Sequence, residues 1–485
     1  MGGRAPVSLA GLLLCLPAAA QGGERTGVAA PAGLQQALDA RIGALERDPE
    51  TEVVVGVAVE TLDGAPVYAW NADRLFVLAS NVKLLTTSAA LLRLPWDYRW
   101  RTEARLADGV LWLRGNGDPS LRRSAGGDAP RHFLDALAAA LAQRQVSALR
   151  EVVLDDRAFD REYRHPLWPP DQWSYDYCAG VSALWVEGGC MVLDLPGDAS
   201  ARLFPELDPP LVMERRHQAG KALEFGWRSP DRIVAVAGDL RQKLAERQAL
   251  AVADPLDQYG RFVLAGLRQR GLEVGGVRAA EPTESAPQGE PLFAWPSVWT
   301  LAEAITVINK DSDNSMAEAL LKTLAVEAGQ PGTAGNGVAV VRAALEDAGL
   351  NPAHYWPVDG SGMARSASGD SNRSTPAALA GLLALMARHP EGRILFHSLP
   401  LAGEEGKLKD WFTEACFQPR RVHAKTGFIT GASSLSGYLL APDDTVLVFA
   451  IVVNFTPRGE ATHNQHFRQL QEDVLSEVLR RWTPG

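Results

Sequence analysis

The sequence predicts an α+β chain in which one antiparallel sheet, flanked by helices, carries a large, mainly β insertion. Strand-like runs joined by short turns occur near both ends of the chain, and helical periodicity surrounds them. The stretch between has another texture, with short strands and many Pro and Trp. A two-stranded hairpin cannot stand alone, so the two end hairpins are expected to complete one sheet, which makes the middle an insertion.

Taken in order, Leu34 to Leu45 places Leu34, Leu38, Ile42 and Leu45 at helical spacing. Val53 to Val59 reads as a buried strand, Asp63-Gly64 as a turn and Val67 to Trp70 as its hairpin partner. Val77 to Leu85 then opens a buried helix. The middle offers short strands at Gly109 to Arg114, Glu151 to Asp155, Val192 to Leu195 and Arg232 to Val236, and leaves through a Pro-rich stretch from Glu281 to Pro296. Helices return at Thr300 to Asn309, Ser315 to Glu327 and Val338 to Ala348, and a fourth opens with Thr375 as N-cap and Pro376 at the first helical position. Arg421 to Lys425, Ser434 to Leu440 and Thr445 to Val453 are strand-like, and His463 to Trp482 is a closing helix. The expected organisation is a leader over 1–20, a catalytic domain built from 21–100 and 297–485, and inserted material over 101–296 with an inner module near 195–250.

Composition narrows the function. A net charge of −10 leaves no basic footprint for nucleic acid or an anionic membrane. Arg4, the apolar run Val7 to Leu16 and Pro17-Ala18-Ala19-Ala20 before Gln21 read as a signal peptide cut after Ala20, so the mature protein is expected to be exported and soluble, without a membrane anchor. Leu14 before Cys15 argues against lipid modification. Of the remaining cysteines, Cys178 and Cys190 could pair in an oxidising compartment, with Cys416 left as a buried thiol. No spacing suggests a metal, and no cofactor is implied.

Three triplets carry the chemistry. Ser80 and Lys83 lie three apart, so on a helix their side chains meet, and a lysine enclosed by Val82, Leu85, Ala89 and Leu92 loses solvation and can accept the serine proton. S-x-x-K alone is nearly a chance event. Ser312-Asp313-Asn314 falls in a short break between two helices, and Lys425-Thr426-Gly427 on a strand where Lys425 and Gly427 share a face. Only 8 of 48 basic residues are Lys; arginine cannot give up its proton, so a site needing a neutral amine must keep lysine. Lys322 and Lys407 are expected on the solvated surface, and Trp173, Tyr175 and Tyr177 in the core rather than at a cleft mouth.

These triplets, in this order, resemble those of the penicillin-recognising serine transferases and peptidases, and so imply a β-lactamase/transpeptidase-like domain. The wider match resembles the D-alanyl-D-alanine carboxypeptidase/endopeptidase group, the low-molecular-mass class C penicillin-binding proteins, in the long interval from Lys83 to Ser312 and in Leu113 to Leu121, Val181 to Leu184, Asp359-Gly360-Ser361-Gly362 and Leu435 to Tyr438. The resemblance implies a periplasmic serine DD-peptidase acting on peptidoglycan stem peptides and acylated by β-lactams. It makes Ser80 the nucleophile, Lys83 its base, Ser312 a proton relay, Lys425 the partner that lowers the pKa of Lys83 and attracts a carboxylate, and Asn314 the holder of the substrate amide. Thr426, Gly427 and Phe428 would line the binding strand, with the N–H groups of Ser80 and Phe428 as the oxyanion hole.

The sequence departs from the family pattern at Phe428, where a hydroxyl residue is usual, at Gly189-Cys190, where Asn is usual, and at Lys407, where Thr is usual. The same triplets would serve a β-lactamase or esterase, and Phe428 is compatible with a catalytically weak peptidoglycan-binding protein.

Overall fold

Strands from the two ends of the chain meet in one sheet. In the computed structural model, which describes residues 33–48, 52–288, 291–365, 370–418, 421–456 and 463–482, the strand order is Val422–Ile429, Ala432–Leu440, Val446–Phe455, Val53–Thr61, Pro66–Trp70, and every pairing is antiparallel. The central register runs from Val53 opposite Phe455 to Thr61 opposite Leu447. The expected leader lies outside the described residues.

Alternation along these strands sorts the side chains. Val53, Val55, Val57 and Val59 share a core with Leu447, Phe449, Ile451 and Val453 and with Leu34, Leu38 and Ile42 of helix Leu34–Glu46 and Phe467, Val474 and Val478 of helix His463–Arg481. The opposite face receives helix Pro376–Arg388, whose Leu383 carbonyl accepts a hydrogen bond from Tyr438 Oη at 3.0 Å. Thr375 caps that helix as the sequence predicts, its side chain accepting from the Ala378 N–H. Covered on both sides, Ala432–Leu440 is buried at every position, Ser433, Ser434 and Ser436 included.

The chain packs as two units: Met1–Trp96, Ile305–Ser312 and Val341–Gly485 form the first, which holds this sheet, and Asp97–Ala304 and Asp313–Val340 the second. By packing, residues 313–340 thus go with the second unit, whereas the return of helical periodicity after Val298 groups them with the first. In the second unit a mixed sheet, ordered Val277–Ala279, Glu151–Asp155, Val110–Gly115, Arg101–Ala107, Phe293–Pro296, packs Ala104, Leu111, Leu113, Val152 and Leu154 against helices Ala129–Gln143 and Pro255–Gln269. The sequence reading passed over both helices, although each carries a start signal. Asp128 and Asp254 are N-caps, each followed within two residues by Pro. A smaller core around Val234, Val236, Leu240 and Leu250 joins the strands between 190 and 251. Among the described residues no helix is long and apolar enough to cross a membrane.

Two expectations about side chains are corrected. Trp173, Tyr175 and Tyr177 are not core: they are 41%, 53% and 42% exposed, and the two tyrosines stack at 5.3 Å on a stretch of short 3-10 turns. Lys322 is not solvated. It is buried in helix Asn314–Glu327, with Nζ 2.5 Å from Asp160 Oδ1 and 2.9 Å from the Glu162 carbonyl. Cys178 and Cys190 are buried and not joined by a disulfide, and Cys416 is only half-buried.

The Lys322–Asp160 pair makes an asymmetric prediction. Asp160→Ala strands a buried ammonium and is expected to cost on the order of 3 kcal/mol. Lys322→Met leaves a carboxylate that already reaches solvent and is expected to cost about 1 kcal/mol. Equal losses in chemical denaturation of the two variants would contradict this account.

Candidate active site

Ser80 does not lie on the long helix itself. It occupies a 3-10 turn, Ala79–Asn81, that feeds helix Val82–Arg93. Ala79 is forced to φ 48°, a left-handed conformation that a non-glycine residue adopts at a cost. The turn still brings the pair together: Lys83 Nζ lies 3.0 Å from Ser80 Oγ. Lys83 is completely buried and also donates to the Ser361 carbonyl at 2.6 Å.

That carbonyl is held by a carboxylate-centred turn. Asp359 accepts from the N–H groups of Ser361 (3.1 Å), Gly362 (2.6 Å) and Ala364 (2.6 Å) and from Asn372 Nδ2 (2.9 Å). Thr86 Oγ1, one helical turn beyond Lys83, donates to the Gly360 carbonyl at 3.0 Å, tying this loop to the helix. Gly362 has φ 93°, and a Cβ there would stand 2.0 Å from the Ala79 carbonyl oxygen. On the opposite side, a Cβ on Gly427 would come within 2.9 Å of the Ser80 nitrogen. Two glycines from distant segments therefore let backbone close on both sides of the serine turn.

Lys425 comes from the edge strand Val422–Ile429 and is completely buried. Its Nζ donates to Ser312 Oγ at 2.9 Å and to the Thr426 carbonyl at 3.0 Å, and Asn81 Nδ2 donates to its own carbonyl at 2.9 Å. Burial holds the Lys425 ammonium well below its ordinary pKa, the charges of Lys83 and Lys407 push the same way, and Asp311 opposes them. Lys407 is on the surface as expected, yet its charge reaches the site. Ser312, like Ala79, is left-handed, at φ 61°.

The outer side of the edge strand is covered only in part. Ala424 N–H donates to the Pro400 carbonyl and Ala402 N–H to the Val422 carbonyl, so the outward N–H groups are those of Ala424 and, by the two-residue repeat, Thr426 and Phe428. Phe428 is 50% exposed.

Asn314 and Asp313 belong to the second unit. Asn314 is buried at the start of helix Asn314–Glu327, with Nδ2 donating to the Tyr177 carbonyl at 2.8 Å. Asp313 caps that helix through the Met316 N–H at 2.9 Å and pairs with Arg122 at 2.8 Å; burial opposes its charge, but Arg122, the Met316 N–H and Ser315 together hold the carboxyl below its ordinary range. Within the first unit the structure thus gathers Ser80, Lys83, Ser312, Lys425 and Gly427. Sequence reasoning missed the roles of Asn81, Asp359 and the Ser361 carbonyl, although Asp359-Gly360-Ser361-Gly362 was visible as a motif.

A family model matches residues 34–474, nearly the whole described chain. The chain belongs to the D-Ala-D-Ala carboxypeptidase 3 (S13) family. These are serine-type D-Ala-D-Ala carboxypeptidases. The chain is 30% identical to the D-alanyl-D-alanine carboxypeptidase of Actinomadura sp. strain R39, over 85% of its own length and 80% of the relative's. It is 26% identical to carboxypeptidase DacB of Mycolicibacterium smegmatis, over 93% and 86%. Its fold matches penicillin binding protein 4 (dacB) from Haemophilus influenzae with a TM-score of 0.73 at 20% identity, over 92% of this chain and 99% of that one. That protein has also been solved in complex with a novel β-lactam.

The close approach at Gly362 supplies a test of the S13 site. In Gly362→Ala the Ala79–Ser80 turn must shift, and a displacement of about 1 Å is expected to lower kcat/KM on a D-Ala-D-Ala peptide by about a hundredfold. Steady-state kinetics beside a thermal melt would check it; full activity in a folded variant would show that the turn's position is not critical.

Proposed function

We propose that Ser80 is the nucleophile of this carboxypeptidase and Lys83 its base, acting on the stem peptides of peptidoglycan in an exported, periplasmic protein. The single observation that carries the assignment is the 3.0 Å contact between Ser80 Oγ and the Nζ of a completely buried lysine. When the Lys83 amine is neutral, its lone pair takes the Ser80 proton as Oγ adds to the carbonyl of the penultimate D-Ala. The C–N bond to the terminal D-Ala then breaks, the leaving nitrogen receives a proton, and water later splits the ester to free Ser80. Lys425 and Ser312, joined at 2.9 Å, form the relay for that proton.

The oxyanion is assigned to the N–H groups of Ser80 and Phe428, a reading supported by the outward direction of the 424, 426 and 428 amides on the edge strand. An extended peptide would lie along the same edge as an added strand. Phe428 offers no hydroxyl, so the terminal carboxylate is assigned to Lys425 and Thr426. Asn314 is assigned to the substrate amide on the triplet pattern alone. Cleavage of cross-links as well as terminal residues is part of the proposal, as is acylation by β-lactams, for which the complex of the Haemophilus influenzae protein is the support. Export rests on the leader-like pattern before Gln21.

Incubation with a fluorescent penicillin is expected to give a covalent adduct that is absent in Ser80→Ala. A folded wild type that takes no label would sink the acyl-enzyme; rapid turnover of the label would favour a β-lactamase.

The rate should also report the lysine pair. Because burial and mutual repulsion depress Lys425, the pair loses its first proton well below the ordinary lysine range of about 10.4. kcat/KM is expected to rise with pH through that lowered value. Lys425→Met, which removes the neighbouring cation and so relieves Lys83 of its repulsion, is expected to lower kcat/KM by about a hundredfold and shift the rising limb upward. An unchanged pH profile in this variant would refute the coupling.

A further inference from the structure

The segment that delivers Ser312 is tied by a buried amide to the helix that carries Lys83. Helix Leu301–Lys310 runs on by one hydrogen bond, from the Asp311 N–H to the Val307 carbonyl at 3.0 Å, and Ser312 is the first residue to leave it, at φ 61°. A left-handed serine outside any helix must be held from the chain beside it if its hydroxyl is to stay 2.9 Å from Lys425 Nζ. The hold lies three residues upstream, at Asn309.

Asn309 is completely buried, and its Nδ2 donates to Ser398 Oγ at 2.8 Å and to Thr87 Oγ1 at 3.4 Å. Both hydroxyls already spend their protons, Thr87 on the Lys83 carbonyl at 2.6 Å and Ser398 on the Leu395 carbonyl at 2.6 Å, so each can only accept and the amide must turn its nitrogen toward them. Thr87 stands one helical turn beyond Lys83. A continuous path therefore runs from the Lys83 carbonyl through Thr87 and Asn309 to the backbone of Ser312. On the other side Lys310 pairs with Glu405 at 2.7 Å, and a Cβ on Gly406 would stand 2.6 Å from the Lys310 carbonyl oxygen, so a second contact presses the same segment into place.

An ordinary core residue is the competing account, and the hydrogen bonds argue against it. Asn309 Oδ1 meets no donor among the described residues, and burying an amide with one end unmet costs stability that an apolar side chain of similar size would not. What the amide supplies is direction. It fixes the spacing of two helices at the level where one carries Lys83 and the other releases Ser312.

We propose that Asn309 is a positioning residue for the proton relay, holding Ser312 against Lys425 through its bonds to Thr87 and Ser398. The proposal rests on the reading of Lys425 and Ser312 as the relay to the leaving group. In peptide cleavage the C–N bond breaks with its electron pair going to nitrogen, which must receive the proton that Ser80 gave to Lys83. In a thioester of the same acyl group the C–S bond breaks with the pair on sulfur, and the thiolate departs without a proton, which stays on Lys83 until solvent removes it.

The test compares these two substrates in the full chain. Asn309→Leu strands no donor, because Thr87 and Ser398 keep their own carbonyls, and it is expected to lower kcat/KM on a D-Ala-D-Ala peptide by about tenfold while the thioester changes by less than about twofold. Ser312→Ala is expected to show the same split more deeply. An equal loss on both substrates in Asn309→Leu would mark a structural residue whose removal disturbs Ser80, and would overturn the proposal; so would full peptide activity in a folded variant. Should Asn309→Leu fail to fold, Ser398→Ala removes the acceptor at 2.8 Å and is expected to give the split at about threefold, and its absence there overturns the proposal equally. If Ser312→Ala slows both substrates alike, the relay reading falls and the proposal with it. A split in Ser312→Ala without one in Asn309→Leu overturns the positioning role alone.

Discussion

Two lysine side chains without solvent exposure, Lys83 and Lys425, set the terms for the first unit. Removing an ammonium from water costs several kcal/mol, and a second one nearby raises the cost further. The fold offsets part of it with aimed acceptors. Lys83 meets Ser80 Oγ and the Ser361 carbonyl, and Lys425 meets Ser312 Oγ and the Thr426 carbonyl. What remains uncompensated appears as the depressed pKa of Lys425, the property a proton-accepting site requires. Lys407 adds its charge to the same field from the surface.

Holding those acceptors in place explains the irregular backbone around them. Ala79 and Ser312 both sit in left-handed conformations, each within one residue of, or at, a proposed catalytic hydroxyl. Asp359 gathers amides so that the Ser361 carbonyl points at Lys83, and Gly362 and Gly427 allow backbone contact that any side chain would block. The rigid partner is the five-stranded sheet, whose central strands are covered on both faces, while its edge strand keeps only part of its outer side paired. The site is strained locally because the sheet behind it is not.

The second unit uses charge differently. Its arginines bind carboxylates and carbonyls in pairs and forks, as with Arg157 on Asp155 and Arg122 on Asp313, and its one deeply buried lysine, Lys322, is neutralised by Asp160. Arginine suits these structural roles because it stays charged and donates in a fixed plane. The chain's preference for arginine therefore separates two duties: lysine where a proton must move, arginine where charge must hold still. Lys322 and Lys310, the latter paired with Glu405 at 2.7 Å, are exceptions, and they show that scarcity of a residue type alone does not identify a site.

Much of this was legible in the sequence wherever a feature depends on neighbours a few residues away. The strands near both termini follow from alternation, the helices at 34, 376 and 463 from periodicity and caps, and the triplets from their spacing. The helices at Ala129 and Pro255 were equally marked by their Asp and Pro starts and were passed over in a stretch read for strands. What the sequence could not decide depends on which distant segment arrives. Whether Trp173, Tyr175 and Tyr177 are covered, which acid meets Lys322, and which carbonyl faces Lys83 are questions of contact between residues far apart in the chain. By itself the sequence determined that a serine, two lysines and their glycines would be present at helix and strand positions able to carry the chemistry. Only the tertiary structure decided that both lysines are buried close enough for one to depress the other, because desolvation and repulsion arise from distance in space, and no local pattern encodes that distance.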